Sequence, residues 1–321
     1  MRHRLIPLLL ILIALAVPLS LLAGRVWIDP FAPETRNATV ILMQLRLPRA
    51  VLALVLGAGL GAAGAAMQGF LRNPLADPGL FGIAPGAALG AVLSFWTGYA
   101  ASVWLLPLFS LVGAGGAMAL LALIAGREGG IALFTLAGLM ISSLAGALMS
   151  LAISLSPTPF AMSEIVTWLM GALADRSWRE VWIATPLTLA GVGVLLLAGR
   201  DLDALTLGES AARSLGVDPR RLQALMIAGI GLTVGAGVSV AGIIGFVGLV
   251  VPHLVRPLTD RRPSSLMVPS ALAGALLLLL ADCLCRVLPL AGSELRLGIA
   301  LSMLGAPFFL FLLLRMRRGL A

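Results

Sequence analysis

"TLGESAARSLGVDPRRL", Thr206 to Leu222, carries one Glu, one Asp and three Arg in 17 residues. It stands in a chain that is 60% hydrophobic and only 11% charged. A polar segment between two long apolar runs has to lie outside a bilayer, so it fixes the side on which both neighbouring runs end. Gly208 to Leu215 reads as a short helix. Glu209 lies in its first turn, where a negative charge suits the helix dipole. Arg213, four residues on, is placed to pair with it. Gly216 is the natural stop, and Asp218-Pro219 reads as the N-cap and first residue of the next helix. Ala211, Ala212 and Leu215 form a small apolar patch. Two short helices joined by a glycine make a rigid knob that fits a groove on a cytoplasmic partner. An ordinary connecting loop is the plainer reading, and the density of capping signals counts against it.

Outward from this segment the chain is apolar almost throughout. Its 321 residues have a mean hydropathy of +1.06, which indicates an all-α polytopic membrane protein. A crossing takes about 20 apolar residues, so there is room for roughly ten. The runs are continuous, unlike the alternating segments of a β-barrel. Candidate spans are 5–23, 47–70, 79–98, 103–125, 131–155, 181–199, 222–241, 244–258, 266–288 and 297–314. The stretch 222–258 is long for one crossing and short for two. It is flanked by "DPRR" and "TDRRPSS", basic on both sides, and same-side flanks require an even number of crossings. The second of the pair is therefore short and entered through "AGIIGFVG". The basic start followed by an apolar core fits a signal peptide, but the run is long and no clear cleavage site follows, so the first span is expected to remain.

All 22 basic residues are Arg. With the N-terminus inside, 14 of them face the cytoplasm: Arg2, Arg4, Arg72, Arg127, Arg200, Arg213, Arg220, Arg221, Arg256, Arg261, Arg262, Arg315, Arg317 and Arg318. Both termini are thus expected in the cytoplasm. The outer segments 24–46 and 156–180 are long enough for short surface helices, with Trp168, Trp178 and Trp182 suited to the headgroup level. "GAGLGAAGAAMQG" (57–69) is small on nearly every face, which puts the second span in the middle of the bundle and requires a buried partner for Gln68.

Several function classes fall away. No basic run is free of the membrane, so nucleic acid is not a partner. Cys283 and Cys285 are two apart in an apolar run and carry no metal or disulfide pattern. His253 has no second His within reach and reads as a structural hydrogen-bonder. The chain has no phosphate-binding G-x-x-x-x-G-K-[ST] loop and no Lys, so it does not hydrolyse ATP itself. An ion-coupled secondary transporter would need an intramembrane acid, whereas the acids here cluster at span ends. A non-transporting anchor or sensor subunit is the other alternative.

"LGESAARSLGV" resembles the coupling-helix segment of the iron-chelate and cobalamin uptake permeases of ABC importers. The same family's motifs follow the same order in "RLPRAVLALVLGAGLGAAGAAMQGFLRNPLADPGLFGIAPGAALG" (46–90), "AGIIGFVGLVVPHLVR" (241–256), "LADCLCR" (280–286) and "SELRLGIALSMLGAPFFLFLLLR" (293–315). The resemblance implies a single transmembrane domain over residues 1–321 with the type II importer fold and coupling helices at about 206–220. It implies a second permease subunit, expected to be identical, two ATPase subunits that hold ATP and Mg, a periplasmic binding protein, and membrane lipid around the spans. No cofactor, metal or catalytic residue belongs to the chain itself. The cargo would be an iron chelate, haem or cobalamin, moved by ATP-driven alternating access.

Residue by residue, the resemblance assigns coupling to Gly208, Glu209, Ala211, Ala212, Arg213, Leu215 and Gly216. It assigns docking of the binding protein to Arg46, Arg49 and Arg286; an i, i+4 pair between Arg286 and Asp282 is the local alternative. Asn73, Pro74 and Leu75 match the cytoplasmic gate, and "EGGIAL" (128–133) stands where the second gate segment falls. Met140, Ser142, Ser143, Met149 and Ser150 of span five, with Ser154, would line a mostly neutral pathway; helix packing through small residues is the alternative. Arg296 stands where relatives carry Pro.

Overall fold

The computed structural model describes residues 2–24, 27–31, 35–125, 130–288 and 294–320, the side chains of residues 2, 3, 80 and 315–320 excepted. The described residues form helices and connections only. In chain order these are α1 (Arg2–Leu22), α2 (Arg36–Ile41), α3 (Leu47–Phe70), α4 (Ile83–Trp96), α5 (Leu105–Ala125), α6 (Ile131–Ser154), α7 (Pro159–Leu169), α8 (Trp178–Leu197), α9 (Gly199–Leu205), α10 (Glu209–Ser214), α11 (Pro219–Ala241), α12 (Val247–Val255), α13 (Pro263–Val287) and α14 (Leu297–Leu320). A π-helical turn, Leu42–Arg46, joins α2 to α3.

Eight described helices are long and apolar enough to cross a bilayer, and α4 and α12 are shorter apolar helices. These ten correspond to the ten expected spans. The short α12 is the one the basic flanks required: α11 ends at Ala241, residues 242–246 are non-helical, and α12 begins at Val247. The shortness of α4 was not expected. Asp77 caps a 3-10 turn at Pro78–Leu80, and Gly82 then takes a left-handed φ of 85°, so the helix cannot begin before Ile83. The surface helices foreseen in both outer segments are α2 and α7.

Two helices fill the centre. In α3 and α11, 78% of the apolar window is buried, against 22–33% in α1, α5, α6, α8 and α14. The small-residue run placed α3 correctly; α11 shares that position, which its pattern did not disclose. The reason α3 is small is visible where it crosses α13. A Cβ on Gly57 would lie 2.3 Å from the Gly274 carbonyl oxygen, and one on Gly274 would lie 2.2 Å from the Gly57 oxygen. The two backbones touch, and contacts of this kind are what hold helices together where solvent exclusion is not available.

The break between α11 and α12 is tied to two distant segments. The Ala172 N–H donates to the Ala241 carbonyl at 2.8 Å, and the Gly298 N–H donates to the Gly171 carbonyl at 3.2 Å. The segment after α7, the end of α11 and the start of α14 therefore meet through main chain.

Candidate functional site

At one end of the bundle α9 and α10 stand out as the polar knob. Asp203 of α9 accepts hydrogen bonds from the Ser264 N–H (2.9 Å) and hydroxyl (2.5 Å), which fixes the knob to the start of α13. The capping expected from the sequence is present. The Gly216 N–H donates to the Arg213 carbonyl and the Val217 N–H to the Ala212 carbonyl, both at 3.0 Å, and Gly216 has φ 89°, a Schellman stop. Asp218 accepts from the Arg220 N–H at 2.9 Å and opens α11 at Pro219.

Two details differ. Among the described residues Glu209 and Arg213 do not pair. A Cβ on Gly130 would lie 3.5 Å from Glu209 Oε2, so the carboxylate has turned to the residue that opens α6, where another helix N-terminus attracts it. The apolar patch is also split. Ala212 is 1% exposed and belongs to the chain's own core, Ala211 is half-buried, and Leu215 is 65% exposed. The face turned outward is Leu215 with Leu207 (68% exposed).

Beside the knob lies the turn expected to gate. Asn73 Oδ1 accepts from the Leu75 N–H at 3.0 Å, and the Asn73 N–H donates to the Gln68 carbonyl at 3.1 Å, so the turn through Pro74 stays on the end of α3. Leu75 is half-buried and lines a cavity of about 370 Å³ with Pro78, Val238, Ile243, Phe246 and Phe309. The Glu128-Gly129 half of the second gate segment, and Arg127, lie outside the described residues.

Asp77, which the sequence did not single out, faces the same cavity. Its carboxylate accepts from the Gly79 N–H at 2.7 Å. Burial pushes this carboxyl above its ordinary range, and the N–H donation acts in the opposite direction. α12 is held by Gln68: its Oε1 accepts from Arg256 Nη2 at 2.5 Å, and its Nε2 faces the Gly248 and Leu249 carbonyls at 3.4 and 3.3 Å. That is the buried partner Gln68 required. The His253 ring meets Phe308 edge-on at 5.8 Å, in keeping with a structural role, and among the described residues no cluster suited to a metal ion occurs.

At the opposite end the three docking arginines are engaged inside the chain. Arg46 Nη1 donates to the Leu21 and Leu22 carbonyls at 2.7 and 2.9 Å and so caps α1. Arg49 makes a two-pronged contact with Asp282 (2.9 and 3.0 Å) and reaches Glu294 at 2.8 Å. Arg286 pairs with Asp282 at 3.2 Å and donates to Ser20 Oγ and to the Ser20 and Ala23 carbonyls. Arg46 and Arg286 are buried, and the Arg286–Asp282 pair named as the local alternative is present. The physical reason is that α1 ends here with unpaired carbonyls that arginines can satisfy.

On α6 the residues assigned to the pathway divide between two faces. Met140, Ser143 and Ser150, with Ser154, follow helical spacing along one exposed stripe. Ser142 and Met149 are half-buried, and Met149 packs on the core.

A profile of the FecCD transport family matches residues 5–315. The chain belongs to that family. The vitamin B12 import system permease protein BtuC of Escherichia coli O9:H4 (strain HS) is 40% identical over 314 residues, covering 96% of this chain and 94% of that protein. BtuC of Salmonella arizonae is 38% identical over 311 residues, covering 96% and 93%. A solved structure assigned to the metal-chelate type of ABC transporter, in an inward-facing conformation, superimposes with a TM-score of 0.87 at 32% identity, covering 98% of this chain and 99% of that one. As a FecCD member the chain is a permease subunit of an ABC importer, has the type II permease fold and is a multi-pass inner-membrane protein. Family membership implies an ATPase and a substrate-binding protein as its partners.

Proposed function

We propose that two copies of this chain form the pathway of an importer for cobalamin or a metal chelate of similar bulk. Two ATPase subunits would seat on the α9–α10 knob and supply ATP hydrolysis with Mg, and a periplasmic binding protein would dock at the opposite end. Both termini would lie in the cytoplasm. The observation that carries this reading is the knob itself. It ends on the Gly216 stop, is anchored by Asp203 to Ser264, and presents Leu207 and Leu215 to the aqueous side. An outward leucine pair on a rigid mount suits a protein groove. The exposed α6 stripe of Met140, Ser143 and Ser150 offers a near-neutral wall along which a bulky solute slides. The names of the BtuC relatives favour a corrinoid cargo. Of the arginines assigned to docking, Arg49 has a partner that solvent reaches, Glu294 with 30% of its side chain exposed, and docking through this set would run through that pair.

The test is reconstitution with a partner ATPase and a substrate-binding protein. Vanadate-sensitive uptake of labelled cobalamin is the expected outcome. ATP-independent uptake driven by an ion gradient would overturn the reading. Leu215→Asp should lower ATPase co-purification by about tenfold or more, since seating a leucine contributes about 1.5–3 kcal/mol and each tenfold is about 1.4 kcal/mol. Full retention of the ATPase would remove Leu215 from the contact. Leu75→Ala should raise the leak of a small encapsulated solute from proteoliposomes, because a large apolar side chain is taken from the constriction. A tight, normally transporting variant would make Leu75 a turn residue only.

A further inference from the structure

We propose that the cavity between the α9–α10 knob and the bundle is a binding site for a net-anionic phosphate group, which braces the knob against the start of α6. The binding does not rest on what seats on the knob.

The cavity holds about 520 Å³, within the range of small-molecule sites. Its walls include Phe70, the last residue of α3, Ile131, the first of α6, and Pro219, the first of α11. Three long helices end around it, which sets it at the membrane face on the knob's side. It lies behind the outward leucine pair, because its knob wall is made by the buried Leu205 and Ala212.

Hydrogen-bond donors converge on this space from three elements. Gln223 of α11 lines it and is only 8% exposed, and its Nε2 has no partner among the described residues. A buried donor left unmade is destabilising, so one that persists points to an acceptor that arrives from outside. Arg213 of α10 lines the cavity as well, and Glu209 has turned away from it to Gly130. At the head of α6 the first-turn N–H groups have no intrahelical acceptors. Gly130, the N-cap on the cavity wall, brings no side chain to take them.

Amide, guanidinium and helix start all require acceptor oxygens, and an anion at a helix start also suits the dipole. A tetrahedral phosphate presents oxygens in several directions at once, as donors from three elements demand. Net charge does not select the ligand, since Arg213 and Arg220 on the walls balance Glu209 and Asp218. The unpartnered donors do. Asp218 already accepts the Arg220 N–H of its own helix at 2.9 Å. Glu209 serves as the protein's own anion beside α6 and competes with a bound one. Phe70, Val217 and Leu222 offer an apolar wall to the carbon part of the ligand.

The experiment uses the full-length permease, in a phosphate-free non-ionic detergent and in vesicles, and reads Tm against probe concentration. Glycerol 3-phosphate presents the group free in solution, with sodium chloride at matched ionic strength as the blank. Phosphatidylglycerol in phosphatidylcholine vesicles presents it on a lipid, with phosphatidylcholine alone as the blank. A saturable rise in Tm over the blank is expected with at least one probe. A response to glycerol 3-phosphate assigns the site to a soluble phosphate ester, and a response to phosphatidylglycerol alone assigns it to a headgroup. Gln223→Leu should raise the Tm of the empty protein, because the orphaned amide is gone, and weaken the probe tenfold or more. Arg213→Gln should weaken it by a similar factor, whereas Glu209→Gln should tighten it severalfold. If Gln223→Leu does not fold, Gln223→Met carries the same test. No response to either probe would overturn the proposal, as would a Gln223 variant that binds like the parent. Loss of binding in Glu209→Gln would show a site for a cation and overturn it equally.

Discussion

Asp282→Ala is expected to cost about 3–5 kcal/mol and to prevent recovery of a folded permease. Asp282 has no exposed surface and is shared between Arg49 and Arg286. Removing it leaves the buried Arg286 and the half-buried Arg49 without their common counter-charge. Arg286 would retain Ser20 and the Ala23 carbonyl, and Arg49 would retain Glu294, but neither replaces a buried carboxylate. Asp282→Asn should be milder, because an acceptor survives while the charge is lost. Thermal unfolding in detergent and the yield of monodisperse protein are the measurements. A change in stability under about 1 kcal/mol, the range of exposed pairs, would show that the network is not a structural keystone.

Gly57→Leu should be comparably severe for a different reason. No flexible side chain stands in the way at this crossing; the atom that a Cβ would meet, 2.3 Å off, is the Gly274 carbonyl oxygen, part of the α13 backbone. Overpacking a tight site usually costs about 1–3 kcal/mol, and a contact that only rigid helix translation can relieve belongs at the top of that range or beyond. The control is Gly115→Leu on α5, where a Cβ would meet nothing within 4 Å. Gly115→Leu should assemble normally. Equal behaviour of the two variants would contradict the close α3–α13 contact.

Much of this was legible in the sequence because the controlling physics is local. Hydropathy located the ten apolar helices, glycine and Asp-Pro signals located both ends of α10 and the start of α11, and basic flanks forced the short α12. What the sequence hid depends on distant partners. Ala212 and Leu215 are three apart and looked like one patch, but on a six-residue helix leaning against a bundle one is swallowed and the other stands free. Asp77 in "ADPG" reads as an ordinary turn residue; its place on the cavity lined by Phe246 and Phe309 has no local trace. Arg46, Arg49 and Arg286 matched a docking pattern; the i, i+4 spacing announced the Arg286–Asp282 pair, but nothing near Arg46 and Arg49 announced that the carbonyls at the end of α1 and the same carboxylate would take them up.

The Arg49–Asp282 contact joins residues 233 positions apart, and this separation bears on biogenesis. The chain emerges from its N-terminus, so Arg49 enters the bilayer margin long before α13 exists. Until then a guanidinium at the head of α3 has no anion to meet, and it must stay at the water boundary, where a charge is tolerated. α3 therefore cannot settle to its final depth when it is first inserted. The arrival of α13 supplies both the carboxylate and the glycine surface against which α3 packs, and the central helix locks late. A chain truncated before α13 would keep an unmated arginine and an open small-residue face together, which is a signature that membrane quality control could recognise.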